Sequence, residues 1–312
     1  VKSIYMMPLA PGWRELLGGR EPDGALPIPP GAALGPADGL DGGGWAEQEF
    51  GEAPLGDRRL TRRLVRCVEM QAKAPGKTFF SAAAGDWAAV TGYYRLIEQP
   101  DESKVSPEAI LATHRARTEQ RMRKQETVLC IQDGTDLNFA THPLYEGLAR
   151  IGKNKNSKGT LGLHLHSTLA VAGDGIPLGV PRIEFSSPDD EGPKSGRWLR
   201  GWRDAGELKA GRARVVSVMD REGDIFELFA ARRDEGGPDL LVRAQYDRSL
   251  GPCGSKLFEK LRGSPERARM DIPLERLSAR NAARGQAASP GRAARVASAA
   301  LRWLGGALAV PG

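Results

Sequence analysis

The sequence predicts an α/β protein in which a helical N-terminal region precedes a mixed sheet. Three observations predict it. Apolar residues recur at helical spacing from Arg58 to Lys73. Two short apolar runs, Val128–Asp133 and Arg214–Met219, each end on or beside an acid, as buried strands do. Strand-like and helix-like stretches then alternate between and after those runs, the pattern of a sheet covered by helices.

Taken in order, residues 1–44 hold 10 Gly and 7 Pro and show no sustained periodicity. Such a stretch cannot repay its ordering entropy by burial, so a disordered leader is expected. The chain opens on Val, which suggests a fragment or an uncertain start. Residues 45–125 read as a small helical domain. In Arg58–Lys73, Leu60, Leu64 and Val68 lie four apart on one face, while Arg59, Arg62, Arg63 and Arg66 line another, joined by Lys73. Taken alone, that cationic stripe reads as the solvated side of a surface helix. Further helices are expected over Asp86–Leu96 and Pro107–Lys124, the second opened by Ser106 as N-cap with Pro107 at its first position.

Residues 126–246 read as the sheet domain. Val128–Asp133 is its first strand. Leu161–Val171 and Ile176–Phe185 follow as a hairpin about Gly173-Asp174-Gly175. Ser195–Lys209 is helical and carries Trp198, Leu199, Trp202 and Leu208; Arg214–Met219 is a strand, Asp224–Arg233 a helix and Asp239–Tyr246 a strand. Residues 247–312 read as short β pieces, clearest at Asp271–Leu274 and Ala293–Leu301. The stretch from Ile272 to the end is basic, with six Arg and one acid.

Composition narrows the function classes. At 312 residues the chain can bury a sizeable core. Its net charge of +6 and pI near 9.3 suit a polyanionic partner. Cys67, Cys130 and Cys253 stand singly, which argues against a disulfide framework and a thiolate metal site and makes a reducing cytoplasm the default. No apolar run approaches the roughly 18 residues that span a bilayer, so no membrane partner is expected. No glycine-rich phosphate loop followed by Lys is present, so nucleotide hydrolysis is not expected. His114 reads as a surface helix residue. His164 and His166 share one strand face, and lacking a third ligand they read as packing or DNA-facing.

The informative acids are Asp133 and Asp220. Each closes a buried strand, and in the proposed order the two strands are neighbours. Carboxylates at the ends of adjacent strands can converge on a hard divalent ion, Mg²⁺ or Mn²⁺. Both acids read equally as loop starters or helix N-caps, and Asp136, Asp174 and Asp224 fit nearly as well.

Ordered motifs add a resemblance. Trp45-Ala46-Glu47-Gln48-Glu49-Phe50, then Leu55-Gly56-Asp57-Arg58-Arg59 and Arg63-Leu64, resemble the opening of bacterial insertion-sequence transposases of the Tn-five type. Gly92-Tyr93-Tyr94-Arg95 with Pro100 resembles the same region. Ile131-Gln132-Asp133-Gly134-Thr135, His166-Ser167, Lys194-Ser195-Gly196-Arg197-Trp198-Leu199 and Asp220-Arg221-Glu222-Gly223-Asp224-Ile225 follow in that family's order, so the resemblance covers roughly residues 45–312. It implies an RNase H-like catalytic domain, a helical domain that binds the transposon end, and an antiparallel β insertion after the fifth strand. It also implies a DDE enzyme that cleaves and joins DNA with Mg²⁺ or Mn²⁺, acting in the nucleoid on transposon-end and target DNA, as a homodimer in the synaptic complex. Asp133 and Asp220 match the first two metal ligands, and Arg59, Arg63 and Lys73 match DNA-contacting positions.

Two departures stand out. The family usually shows Asp-Thr-Thr where this chain has Asp133-Gly134-Thr135, so a hydroxyl beside the first acid is missing. The third carboxylate belongs to a Tyr-x-x-Arg-x-x-x-Glu-x-x-x-x-x-x-Lys helix beyond the insertion, and no residue here takes its place; Glu222 and Glu227 follow Asp220 too closely. The chain is therefore expected to stop inside the insertion, near Leu301-Arg302-Trp303, with its own activity in doubt. Two other readings stay open: a non-catalytic DNA-binding remnant or inhibitor, and an RNase H-like nuclease unrelated to transposition, which the N-terminal motifs disfavour.

Overall fold

A computed structural model describes residues 44–100, 102–139, 148–151, 161–187, 195–250, 254–266, 268–274, 276 and 291–301. The leader up to residue 43, Lys194, Cys253 and the Arg302-Trp303 pair lie outside the described residues. What is described falls into two units, one ending at Arg243 and the other beginning at Ala244.

The first unit opens with helices α1 (Trp45–Phe50), α2 (Arg58–Lys73), α3 (Phe79–Ala82), α4 (Trp87–Ile97) and α5 (Pro107–Met122). Local chemistry sets their starts. Asp57, Asp86 and Ser106 accept hydrogen bonds from Arg59 N, Ala89 N and Ala109 N, satisfying first-turn donors of α2, α4 and α5. The apolar face expected of α2 is buried: Leu60, Leu64 and Cys67 pack with Leu55 and Leu96, against Phe50, Val68, Tyr93 and Ile110. α1 and α3 are helices that the periodicity did not reveal; at six and four residues they are too short to show one.

The sheet is mixed, as expected. Its strands are β1 (Thr127–Asn138), β2 (Ala149–Arg150), β3 (Leu161–Ala172), β4 (Pro177–Ser186), β5 (Arg214–Met219) and β6 (Asp239–Val242), in the order β2-β3-β1-β5-β6 with β4 also on β3. β3 and β4 form the expected antiparallel hairpin, β1 is antiparallel to β3, and β1, β5 and β6 run parallel. β1 runs five residues past the expected strand, pairing with β3 as far as Asn138↔Gly162. The expected strand to Tyr246 stops at Val242. The helix expected from Asp224 begins at Phe226 as α7 (Phe226–Glu235), because a 3₁₀ turn over Arg221–Gly223 uses Asp224 as its C-cap.

α6 (Gly196–Glu207) covers one sheet face through Trp198 and Trp202, a turn apart, which bury against Met219, Leu228 and Ala231. Trp202 Nε1 donates to Pro238 O at 2.9 Å, so the large ring is buried without an orphaned donor. The helix lies so close to β1 that a Cβ on Gly201 would stand 2.3 Å from Gln132 Oε1. Gln132 is itself buried, 3.1 Å from His166 Nε2, and the His166 ring meets Trp198 edge-on at 4.7 Å.

The sheet edge at β4 is closed by α5, and here one sequence expectation fails. His114 is half-buried, not a surface residue. Its Nε2 accepts from Val180 N at 2.9 Å, so Nδ1 carries the proton and donates to Glu49. Arg121 donates Nε to Leu178 O at 2.6 Å and grips Glu49 with both terminal nitrogens, at 2.6 and 3.2 Å. Side chains of α5 thus take up the outward backbone groups of an edge strand, which would otherwise recruit another strand. Gly179 between them has φ +145, and a Cβ there would stand 2.1 Å from Thr118 Oγ1.

The second unit contains β7 (Ser249–Leu250) paired with β8 (Ser255–Lys256), α8 (Leu257–Gly263), and the antiparallel ladder of β9 (Ala268–Leu274) with β10 (Arg295–Leu301). The β9–β10 ladder answers the expected β pieces. α8 was missed.

Two predictions follow from the packing. Glu49→Gln leaves Arg121 buried without its counter-charge, so chemical denaturation should show a loss of about 3–5 kcal/mol; a loss below 1 kcal/mol would mean the cluster is not holding β4. The second concerns acid. Burial, with Arg182 and Arg197 nearby, lowers the His166 pKa to about 4, so the folded imidazole refuses a proton that the unfolded chain accepts. Stability should therefore fall as pH drops from about 6.5 to about 4, by about 3 kcal/mol in all. Burial raises the Glu49 pKa, but hydrogen bonds from His114 and Arg121, with the charge of Arg121, more than offset it, holding the carboxyl below its ordinary value. The stability that Glu49 contributes is thus present above about pH 4.5 and lost below it. Urea midpoints measured from pH 7 to 5 should decline in the parent and flatten in His166→Gln; equal slopes would contradict the assignment.

Candidate functional site

β1 and β5 carry the two acids to one place. Their parallel Cα pairing runs from Thr127↔Arg214 to Ile131↔Val218, and two residues further along each chain stand Asp133 and Asp220. β5 ends at Met219 while β1 continues alongside β3, so the acids sit where the two strands part. Strand alternation puts them on one face, the face on which Leu129, Val216, Ile131 and Val218 cluster. Those apolar residues explain why the strands form; the acids are the first exposed positions beyond them. The carboxyl ends of parallel strands, where neighbouring strands diverge, are where open α/β sheets offer a ligand crevice.

Each carboxylate is held locally by one oxygen. Asp133 Oδ1 accepts from Gly134 N at 2.8 Å, and Asp220 Oδ1 accepts from Glu222 N at 2.7 Å, capping the 3₁₀ turn. The N-cap reading of Asp220 is therefore correct as far as it goes, and it occupies only one oxygen. Asp136 pairs with His164, and Asp224 is buried, so neither competes for the exposed position. Asp174 sits in the β3–β4 turn, its carboxylate accepting from Ile176 N. Among the described residues no group of three or more His, Cys, Asp or Glu side chains is placed to hold a metal. The hard oxygen donors of Asp133 and Asp220 fit Mg²⁺ or Mn²⁺ by chemistry, as two ligands of a larger set.

Sequence reasoning missed Arg197 as a site residue, although it lies in a quoted motif. Its guanidinium reaches Glu222 at 3.1 Å, and its Cζ would be 3.9 Å from a Cβ on Gly134. It thus lies on the sheet face opposite Asp133, beside Gly134 of β1, and pairs with Glu222 of the turn after β5. The same Cβ would stand 3.6 Å from His166 Nδ1, an ordinary van der Waals contact. His166 Nδ1 and Arg197 Nε are buried without a hydrogen-bond partner among the described residues.

The DNA-contact candidates lie elsewhere, on α2. Arg59 is exposed and pairs with its own N-cap, Asp57, at 3.2 Å. Arg63 is half-buried, its stem over Gly92 of α4, where a Cβ would be 3.7 Å from Arg63 Cγ. Lys73 is exposed in the last turn. Arg62 and Arg66 share that exposure, and Arg66 pairs with Asp86 at the start of α4. The stripe is therefore a real surface feature, with Arg63 at its inner margin.

Among the described residues no helix is long and apolar enough to cross a membrane. The chain is also similar to the Mos1 strand transfer complex over 63% of its own length and 62% of that chain, less than two thirds of it, at 12% identity. The TM-score of 0.23 is too low for this likeness to define the fold. Residues 43–101, which carry α1 to α4 with the cationic stripe, match the family model described as transposase DNA-binding.

Proposed function

We propose that this chain is a transposase of the bacterial insertion-sequence, Tn-five type. Its helical region binds double-stranded DNA at the element's ends, and its mixed sheet, read as RNase H-like, carries part of a DDE metal site. The observation that carries the reading is the match of residues 43–101 to the transposase DNA-binding model. The opposed Asp133 and Asp220 on β1 and β5 give it a place for chemistry.

In this reading Arg59, Arg63 and Lys73 hold phosphates and set the register of the duplex, without reading its sequence. Asp133 and Asp220 would hold Mg²⁺ or Mn²⁺ as two ligands of a larger set. Such an ion would supply charge neutralisation at a phosphodiester and acidify a water. Arg197 steadies the turn that carries Asp220 through Glu222. Transposon-end and target DNA, a synaptic homodimer and a cytoplasmic, nucleoid setting belong to the same proposal. A second reading, DNA binding without cleavage by a remnant or inhibitor, is favoured by one observation: the family match is to a DNA-binding model over residues 43–101.

Two experiments test these readings. Fluorescence anisotropy with a 40-base-pair duplex of mixed sequence should show affinity falling steeply with KCl. Each of Arg59→Ala, Arg63→Ala and Lys73→Ala should reduce the slope of log K against log salt by about 0.9. A salt-independent affinity would sink the DNA-binding reading. Separately, Mn²⁺ titrated by calorimetry should bind the parent, and Asp133→Asn and Asp220→Asn should each weaken it at least tenfold. Nicking of supercoiled plasmid in Mg²⁺ that survives Asp133→Asn would show that the metal lies elsewhere.

A further inference from the structure

The helical region shows a feature that the cationic stripe does not explain. Phe80 and Trp87 are 59% and 68% exposed, and Tyr94, seven residues after Trp87 on α4, is 48% exposed. Seven residues is two turns, so Trp87 and Tyr94 share one helix face. Phe80 meets Trp87 edge-on with ring centroids 5.6 Å apart. Behind this outer set, Phe79 stacks on Tyr93 at 4.5 Å and joins the buried core, so the Phe79-Phe80 pair divides its rings between interior and surface.

The exposed rings are not on a loose tip. Thr78 caps α3 through Ser81 N, and Asp86 caps α4 through Ala89 N at 2.9 Å while pairing with Arg66. Between the two helices the chain turns at Ala84, φ +49, and Gly85, φ +88. Ala84 is the one described non-glycine residue with positive φ, a conformation that costs energy and persists where the surrounding structure demands it. The turn therefore presents the rings in a fixed arrangement.

The surrounding charge indicates what covers them. From Arg58 to Arg95 the sequence has eight cations (Arg58, Arg59, Arg62, Arg63, Arg66, Lys73, Lys77, Arg95) and two acids, Glu69 and Asp86. That excess of six equals the net charge of the whole chain. A second copy of the same surface would be repelled by it. A polyanion whose interior consists of flat π faces would be attracted by both features. Aromatic residues beside backbone-tracking cations are how sequence-tolerant nucleic-acid surfaces stack on bases, and apolar wedges between base steps are how duplexes are locally unstacked.

Resting on the DNA-binding reading above, we propose that Phe80, Trp87 and Tyr94 form an aromatic platform that packs against base faces of bound DNA, at an unstacked step or duplex end, while the α2 cations hold the flanking phosphates. The two contributions separate by salt, since stacking releases no counterions whereas phosphate contacts do.

The test uses the full chain and a 30-base-pair duplex recovered by the parent protein from a randomised pool, with anisotropy measured over a range of KCl. Trp87→Ala and Phe80→Ala should each lower affinity by about tenfold to a hundredfold with the salt slope unchanged. Both rings are largely exposed, so circular dichroism should match the parent. In addition, 2-aminopurine placed at successive positions should brighten at one step when the parent binds, and stay dim with Trp87→Ala. Affinity equal to the parent's in both variants overturns the platform while leaving DNA binding intact. So does a sedimentation profile in which Trp87→Ala dissociates a dimer, since that assigns the rings to a protein contact. Failure of the parent to retain any duplex overturns the DNA-binding reading and the platform with it.

Discussion

The buried Glu49 carboxylate is the constraint on which the larger unit depends. A carboxylate at 4% exposure is tolerable only if neighbours supply charge and hydrogen bonds. Arg121 supplies both and His114 a hydrogen bond, and both sit on α5. Having satisfied Glu49, the same two side chains turn to β4, one accepting from Val180 N and the other donating to Leu178 O. Three elements far apart in sequence are thereby fixed to one another: α1, α5 and the sheet edge. A purely apolar contact could have glued them as tightly, but it would not have dictated which backbone groups of β4 meet which turn of α5. The polar cluster sets that register, and Gly179 records how close the approach is.

This docking gives the two candidate functions a common frame. The DNA-contact candidates lie within residues 44–100, on the cations of α2 and the rings of α3 and α4. The candidate metal ligands stand on β1 and just past β5. α1 and α5 link the helical region to the sheet edge at β4. The parallel register of β1 and β5 is equally restrictive. Once Val128, Leu129, Cys130 and Ile131 are buried against their counterparts on β5, Asp133 and Asp220 have no freedom to be anywhere but side by side. A slip of one residue would turn one acid to the opposite face of the sheet.

The strongest sequence signals were those with a physical period or a stereochemical stop. The apolar runs before Asp133 and Asp220, the Gly-Asp-Gly turn, the Ser106-Pro107 helix start and the α2 face all emerge in the structure as read. What could not be read was burial arranged by polar groups. α5 buries Thr113, Thr118, Glu119 and Arg121 beside Met122, so its inner face is largely polar and His114 looks like a surface residue. The far half of β1, from Asp133 to Asn138, is mostly exposed and pairs only with β3, so it lacks the apolar run by which its first half was recognised. Arg197 was quoted within a motif yet given no role, because only the folded chain brings it to Gly134 and Glu222. The exposure of Phe80 and Trp87 carried no sequence signal, since large aromatic residues are ordinarily buried.

The Asp133-Gly134-Thr135 departure acquires a different meaning once folded. As sequence, it is a hydroxyl lost from beside a metal ligand. In the structure, the position faces His166 Nδ1 and the Arg197 guanidinium, and His166 Nδ1 and Arg197 Nε are buried without a hydrogen-bond partner among the described residues. Orphaned polar atoms of this kind are costly, and they persist where something else compensates. Here the His166 ring is kept neutral by burial and by Arg182 and Arg197, while Gln132 and Trp198 fix its orientation. The glycine therefore costs hydrogen bonding without releasing the ring. The backbone beneath Asp133 stays held by β3 on one side and α6 on the other, so loss of that hydroxyl leaves the first carboxylate in place. Under the proposed metal reading, the glycine at 134 therefore leaves the Asp133 carboxylate where the β1–β5 register puts it.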